Sequence, residues 1–344
     1  MPGSPAQGGR AACRGATAVS TADADGAAVA RVPGMSRTTH RVIRDRAVCR
    51  AHGIAGVLAR PASGAQCAVV VIGGSEGGMH ERDAVALAEE GFAALALAYF
   101  GAPGVPSTLL DVPLEYFGRA LDLLEAQGFG PGSIGLLGGS RGGEAALLVG
   151  SRDERVGSVV SIVGSGVVTP GIDYDAGRLD AILRSSGPAW TVDGEPLPSL
   201  PYEVTPELVA TIERHEPVAL RDGFAALPTD PDALDRISIP VERIRGGVLL
   251  VAAGDDQMWD SPAYSRVAAD RLADHPYPWA NVVLDSVGHL IAGPPGAIAG
   301  SLSPGPGVMF RNGGDPVLTA HARTETWSRT LGFLRYTLPR DEPA

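Results

Sequence analysis

The chain has 344 residues, 44% hydrophobic and 19% charged, enough for one large buried core or two ordinary ones. Its formal net charge is −11 and all 28 basic residues are arginine, which argues against nucleic acid as a partner and excludes any lysine-based chemistry. No apolar run reaches the ~18 residues that a membrane span needs.

Residues 1–35 are rich in Ala, Gly, Ser and Thr and carry little periodicity, so they are expected to be disordered. Met35, after "RVPG", is a candidate start. Arg10 and Arg14 precede a stretch that contains Asp23 and Asp25 and never becomes an apolar core, so no secretory leader is expected. Residues 36–344 are expected to form one domain. From about His40 the texture changes. "HRVIRDRAVC" alternates and "IAGVLAR" follows; both read as antiparallel edge strands. "CAVVVIGG" (67–74) is a continuous apolar run, as in a strand buried on both faces. "ERDAVALAEEGF" (81–92) reads as an amphipathic helix closed by Gly91, and "AALALAY" (93–99) as a second buried strand. "PLEYFGRALDLLEAQGF" (113–129) predicts a helix with Pro113 in its first turn. "SIGLLGG" (133–139) predicts a third buried strand, "RGGEAALLVGS" a helix, and "VGSVVSIVG" (156–164) a fourth strand. Alternating buried strands and crossover helices imply a mostly parallel, doubly wound sheet.

The rhythm then breaks. Residues 165–237 are rich in Pro, Gly and acidic groups, with helical fragments such as "PELVATIERH", and are expected to be a cap insertion. Alternation resumes with "GGVLLVAAG" (246–254), the helix "SRVAADRLADH", the strand "WANVVLDS" (279–286) and a helix over about 317–337.

Ligands and catalytic groups gather beyond the C-terminal ends of parallel strands. Three polar residues fall there: Ser140 in "GGSRGG", Asp256 in "AAGDDQMWDS" and His289 in "DSVGHLIAGPP". The order Ser, Asp, His is that of an α/β-hydrolase, and Gly138 and Gly142 supply the small neighbours that a nucleophile elbow requires. Ser140 is the expected nucleophile, His289 its base and Asp256 the group that orients the base. Asp255 competes with Asp256 for that role. The expected oxyanion donors are the backbone amides of Arg141 and of the "GGSEGG" loop near Ser75. Of the other histidines (40, 52, 80, 215, 275 and 321), His80 alone lies near the expected mouth. Glu144 is read as a first-turn acid at the helix dipole, and Trp259 as packing. The cysteines, Cys13, Cys49 and Cys67, are odd in number and widely spaced without a CxxC, so neither a disulfide framework nor a zinc site is expected, and a cytoplasmic location fits. No metal or cofactor is called for.

Several stretches together resemble one family: "EEGFAALALAYFGAPGVP", "PLEYFGRALDLL", "IGLLGGSRGGE", "DGEPLPSLP", "IPVERIRGGVLLVAAGDDQMWDS" and "GHLIAGPP". They are similar to the C-terminal catalytic domain of the acyl-CoA thioesterase and bile acid-CoA:amino acid N-acyltransferase family. A more distant similarity is to dienelactone-hydrolase-type enzymes. The resemblance spans about residues 40–340 and implies an α/β-hydrolase fold, with the nucleophile at Ser140, the acid at Asp256 and the base at His289. It implies a small-molecule acyl thioester as substrate, acyl-CoA or carrier-bound. Animal members carry a β-sandwich domain ahead of this one, and only a few dozen residues stand in that place here. The glycine-rich run "GAIAGSLSPGPGVMFRNGGDP" also departs from the family pattern. An acyl-cysteine reacts readily with amines, whereas an acyl-serine favours water, so Ser140 tilts the expectation toward hydrolysis. Acyl transfer, an ester or lactone step in a secondary pathway, and a non-catalytic binding scaffold are the alternatives. The acidic balance implies no dedicated basic patch for CoA phosphates, which weakens CoA relative to smaller or carrier-bound thioesters; Arg141 or Arg82 are the local arginines that could serve. The oligomeric state stays open.

Overall fold

The computed structural model describes residues 40–298 and 300–339; the expectation of disorder over 1–35 and Cys13 lie outside the described residues. The chain enters through β1 (Val42–Asp45). The next residues, expected to continue that strand, instead form the short helix α1 (Ala47–Ala51). Asp45 causes the change: its Oδ1 accepts the amides of Ala47 and Val48, a side-chain turn that competes with strand pairing. β2 (Gly56–Pro61) pairs antiparallel with β1 on one side and with β4 (Ala93–Leu97) on the other. Of these two strands β1 lies at a sheet edge and β2 does not, so the expectation of an edge fails for β2, whose Val57, Leu58 and Ala59 are fully buried.

β3 (Ala68–Ile72) and α2 (Glu81–Glu89) precede β4, and Gly91 at φ +98° turns the chain out of α2. β5 (Val112–Pro113) comes before α3 (Glu115–Ala126). Pro113 therefore pairs in a small sheet and does not sit in the helix's first turn as expected. β6 (Ile134–Gly139), α4 (Arg141–Gly150) and β7 (Val156–Ile162) follow as the apolar runs predict. The segment from 163 to 246 holds α5 (Leu179–Ser185), β8 (Trp190–Val192), β9 (Glu195–Pro196), α6 (Pro206–Glu213) and α7 (Pro231–Ile237). The main sheet resumes with β10 (Gly247–Ala253), α8 (Ser261–Arg271) and β11 (Trp279–Leu284). An unanticipated hairpin, β12 (Leu302–Gly305) and β13 (Val308–Arg311), precedes α9 (Pro316–Thr337).

The eight main strands run in the order β1-β2-β4-β3-β6-β7-β10-β11, parallel from β4 onward. Successive residues of a strand point to opposite faces, and here both faces are covered. Val70 and Ile72 of β3 pack in the cluster that holds Phe117 and Leu121 of α3. Val69 and Val71 pack in the one that holds Leu87 of α2 and Leu331 of α9. Each fully buried side chain of this size contributes about 1.5–3 kcal/mol. This two-sided core is what fixes the loops at the C-terminal ends of β3, β6, β10 and β11.

Candidate functional site

Ser140 stands between β6 and α4 with φ 53° and ψ −123°, a backbone conformation that L-residues rarely adopt. The fold holds it there. The Ser140 amide donates to the Ile162 carbonyl at 2.8 Å, and its own carbonyl accepts the amides of Gly143 and Glu144 at 2.9 and 3.3 Å. A side chain on Gly138 would meet the Gly142 carbonyl at 2.0 Å, and one on Gly142 would meet the Ile72 carbonyl at 2.1 Å. Glycine at both positions lets β3, β6 and α4 close around the serine. The amide of Arg141, the first residue of α4, has no carbonyl one turn earlier in the helix to bond.

Asp256 follows β10 and is 1% exposed. Its Oδ1 accepts the amides of Met258 and Trp259 at 2.9 and 3.4 Å. His289, on the loop after β11, donates from Nδ1 to Asp256, at 2.8 Å from Oδ2 and 3.0 Å from Oδ1. A proton on Nδ1 leaves the Nε2 lone pair available. Asp255 is engaged elsewhere: it accepts Gln257 Nε2 at 2.7 Å and the Gly314 amide at 2.8 Å. Trp259 is buried, donates from Nε1 to the Val163 carbonyl, and sets a ring edge against His289 at 6.2 Å between centroids.

Ser140 and His289 line one cavity of about 590 Å³. The "GGSEGG" loop after β3 forms part of its wall, and the Ser75 carbonyl accepts the Tyr174 hydroxyl. Tyr174 alone represents residues 165–237 in the lining. Ser303, Pro304, Phe310 and Asn312, of the β12–β13 hairpin and its exit, contribute more of it. His80 also lines this cavity, with Glu76 Oε1 at 3.0 Å and Asp83 Oδ2 at 3.7 Å from its two ring nitrogens. Hydrogen bonds to Asp83 and Glu76 push the His80 pKa up to about 10, so the ring is a cation at neutral pH. Its ring occupies the space beside Gly73, where a Cβ would come within 2.4 Å of it. The sequence offered only its nearness to the loop as a signal.

Glu144 stands in the first turn of α4, as expected of an acid at the helix dipole, and it is fully buried. It pairs with Arg141 at 3.2 Å and accepts the Thr169 amide at 3.0 Å, the Thr169 hydroxyl at 2.5 Å and Trp190 Nε1 at 2.7 Å. Burial pushes its carboxyl up, opposed by Arg141 and these donors. The Arg141 side chain, 2% exposed, is enclosed by Glu144, Thr169 and the Trp259 ring, and so does not reach a phosphate in solution. Arg82 is exposed and donates to the Pro295 carbonyl. Among the described residues no group of three or more His, Cys, Asp or Glu is placed to hold a metal ion, and no helix is long and apolar enough to cross a membrane.

The sheet order, with a serine on the strained turn after β6, defines an α/β-hydrolase fold. A puromycin-hydrolyzing peptidase of Mycobacterium tuberculosis shares that fold with a TM-score of 0.52 and 15% identity, over 92% of this chain and 42% of the peptidase. The chain belongs to the BAAT / acyl-CoA thioester hydrolase C-terminal family, whose profile matches residues 112–340. Mouse (Mus musculus) acyl-coenzyme A thioesterase 6 is 29% identical over 323 residues, covering 91% of this chain and 68% of that protein. Mouse acyl-coenzyme A amino acid N-acyltransferase 1 is 28% identical over 278 residues, covering 80% and 61%. The chain thus spans only about three fifths to two thirds of these two relatives' own length.

Proposed function

We propose that this protein is a serine hydrolase that cleaves acyl-CoA thioesters through an acyl-Ser140 intermediate. The observation that carries the reading is His289, its Nδ1 at 2.8 Å from the Asp256 carboxylate, lining the same cavity as a serine held at φ 53°. Membership of a family that includes named thioesterases supports the substrate class.

His289 Nε2 takes the Ser140 proton as Oγ attacks the thioester carbon. Asp256 holds the imidazole in the required tautomer and stabilises the imidazolium. The oxyanion is met by the Arg141 amide and a second amide of the "GGSEGG" loop near Ser75; one such donor is worth about 2.7–4 kcal/mol at the transition state. The C–S bond breaks, and His289 returns the proton to the departing thiolate. Water, deprotonated by the same histidine, then attacks the acyl-serine ester; the C–O bond to Ser140 breaks as His289 returns that proton to Oγ, and the acid is released. The insertion over 165–237 acts as a cap, touching the cavity through Tyr174, and the β12–β13 hairpin completes the enclosure.

Acyl transfer to an amine is the competing outcome, because one relative is named as an N-acyltransferase. Product identity separates them. With a panel of acyl-CoAs and excess glycine or a primary alcohol present, mass spectrometry should find free acid and CoA in equal amounts. A predominance of N-acyl or O-acyl product would establish transfer instead, and no CoA release from any substrate would point to a binding scaffold.

A further inference from the structure

Asn312 leaves β13 beside the loop that carries His289. Its side chain is 2% exposed and lines the cavity. Oδ1 accepts the Ser303 hydroxyl at 3.1 Å, the backbone carbonyl accepts the His289 amide at 2.8 Å, and the backbone amide donates to the Ser301 carbonyl at 2.7 Å. Three bonds therefore lock the residue, while Nδ2 has no partner. Six buried side-chain polar atoms among the described residues share that condition, and Asn312 is the one residue of the six that lines the cavity of Ser140 and His289.

A buried amide N–H without an acceptor is costly, so native proteins rarely keep one for packing alone. Movement of the chain does not relieve it. A side chain on Gly288 would meet the Gly313 carbonyl at 2.1 Å and the Asn312 carbonyl at 2.5 Å, so the base loop and the hairpin exit are in tight contact. The neighbouring wall, Pro304 and Phe310, is apolar and supplies no acceptor side chain.

We propose that Asn312 is a substrate-binding residue whose Nδ2–H donates to a carbonyl or hydroxyl oxygen of the substrate other than the thioester carbonyl itself, close to the reacting carbon. The inference rests on the thioesterase reading and extends it to a substrate class: thioesters that bring an oxygen acceptor beside the scissile bond. Two parts of an acyl-CoA carry such an oxygen, the pantetheine amide and an oxygenated acyl chain.

The test compares wild type with Asn312→Leu and Asn312→Asp. The aspartate keeps the size and the Ser303 bond but replaces the donor with an acceptor. The probes are butanoyl-CoA, 3-hydroxybutanoyl-CoA and the S-ethyl thioesters of the same two acids. Both variants should lose about tenfold more in kcat/KM where the acceptor is present than where it is absent, the effect of one buried hydrogen bond. A loss confined to the CoA thioesters assigns the pantetheine amide, and one confined to the hydroxyacyl thioesters assigns the acyl chain. An equal loss on all four substrates means that Asn312 only positions His289, and no loss on any means that it binds water alone; either overturns the proposal. Ser140→Ala separates the two readings. If it releases thiol like wild type, the hydrolase assignment itself fails. If it is inactive while the Asn312 variants match wild type, only the substrate contact fails.

Discussion

Replacing Ser140 with alanine is expected to lower kcat for thioester cleavage by about four to six orders of magnitude, the usual consequence of removing a serine nucleophile. The expectation follows from the backbone as much as from the hydroxyl. Alanine meets the same strain at φ 53° as serine does, and the amide bond to the Ile162 carbonyl does not involve the side chain. The first-turn amides of α4 and the Asp256–His289 pair stay where they are. Fold and thermal midpoint should therefore be retained while acylation is lost, and the remaining rate reflects binding and oxyanion stabilisation alone. Steady-state thiol release beside a thermal melt checks both halves. A tenfold loss or less in a folded variant would remove Ser140 from the chemistry.

The second large effect is on stability. Glu144→Ala would leave the Arg141 guanidinium buried and charged, and would strip Thr169 and Trp190 Nε1 of their acceptor. Breaking a buried ion pair by removing one partner costs about 3–5 kcal/mol. Against a typical total of about 5–15 kcal/mol, that is a large share of the fold's stability. The cost also falls on function, because Thr169 and Trp190 belong to the segment after β7 and Glu144 ties that segment to the helix behind Ser140. The double change Arg141→Met with Glu144→Gln should recover most of the loss, since the charge disappears and an amide acceptor remains. Chemical denaturation of the three proteins measures this. Equal midpoints for wild type and Glu144→Ala would refute the role of the pair.

The main sheet was legible in the sequence because β3, β4, β6, β7 and β10 are short apolar runs ending at glycine or polar loops. Ser140, Asp256 and His289 could be singled out because each follows such a run at the end where ligands gather. The sequence favoured Asp256 over its neighbour Asp255; the turn that sends one toward His289 and the other toward Gly314 is set by tertiary contacts. The place of Glu144 in the first turn of a helix was legible, but its partners Thr169 and Trp190 were not, because they lie 25 and 46 residues further on, in a segment without periodicity. α1 was missed because one residue, Asp45, overrides an alternating pattern. The hairpin had a signal, Pro306-Gly307 between two short strands with φ 69° at the glycine, but Pro304 and Gly305 inside β12 blurred its alternation. Asn312 could not have been found from sequence, because its significance lies in a hydrogen bond that is not made.

In the proposed reaction an acyl group passes through Ser140. Intact-protein mass spectrometry on enzyme mixed with an acyl-CoA and quenched in acid within the first turnover tests it most directly. One added acyl mass is expected, mapped by digestion to the peptide that carries Ser140 and absent from Ser140→Ala. Turnover with the acyl group on a different residue, or with no covalent adduct at any quench time, would contradict it.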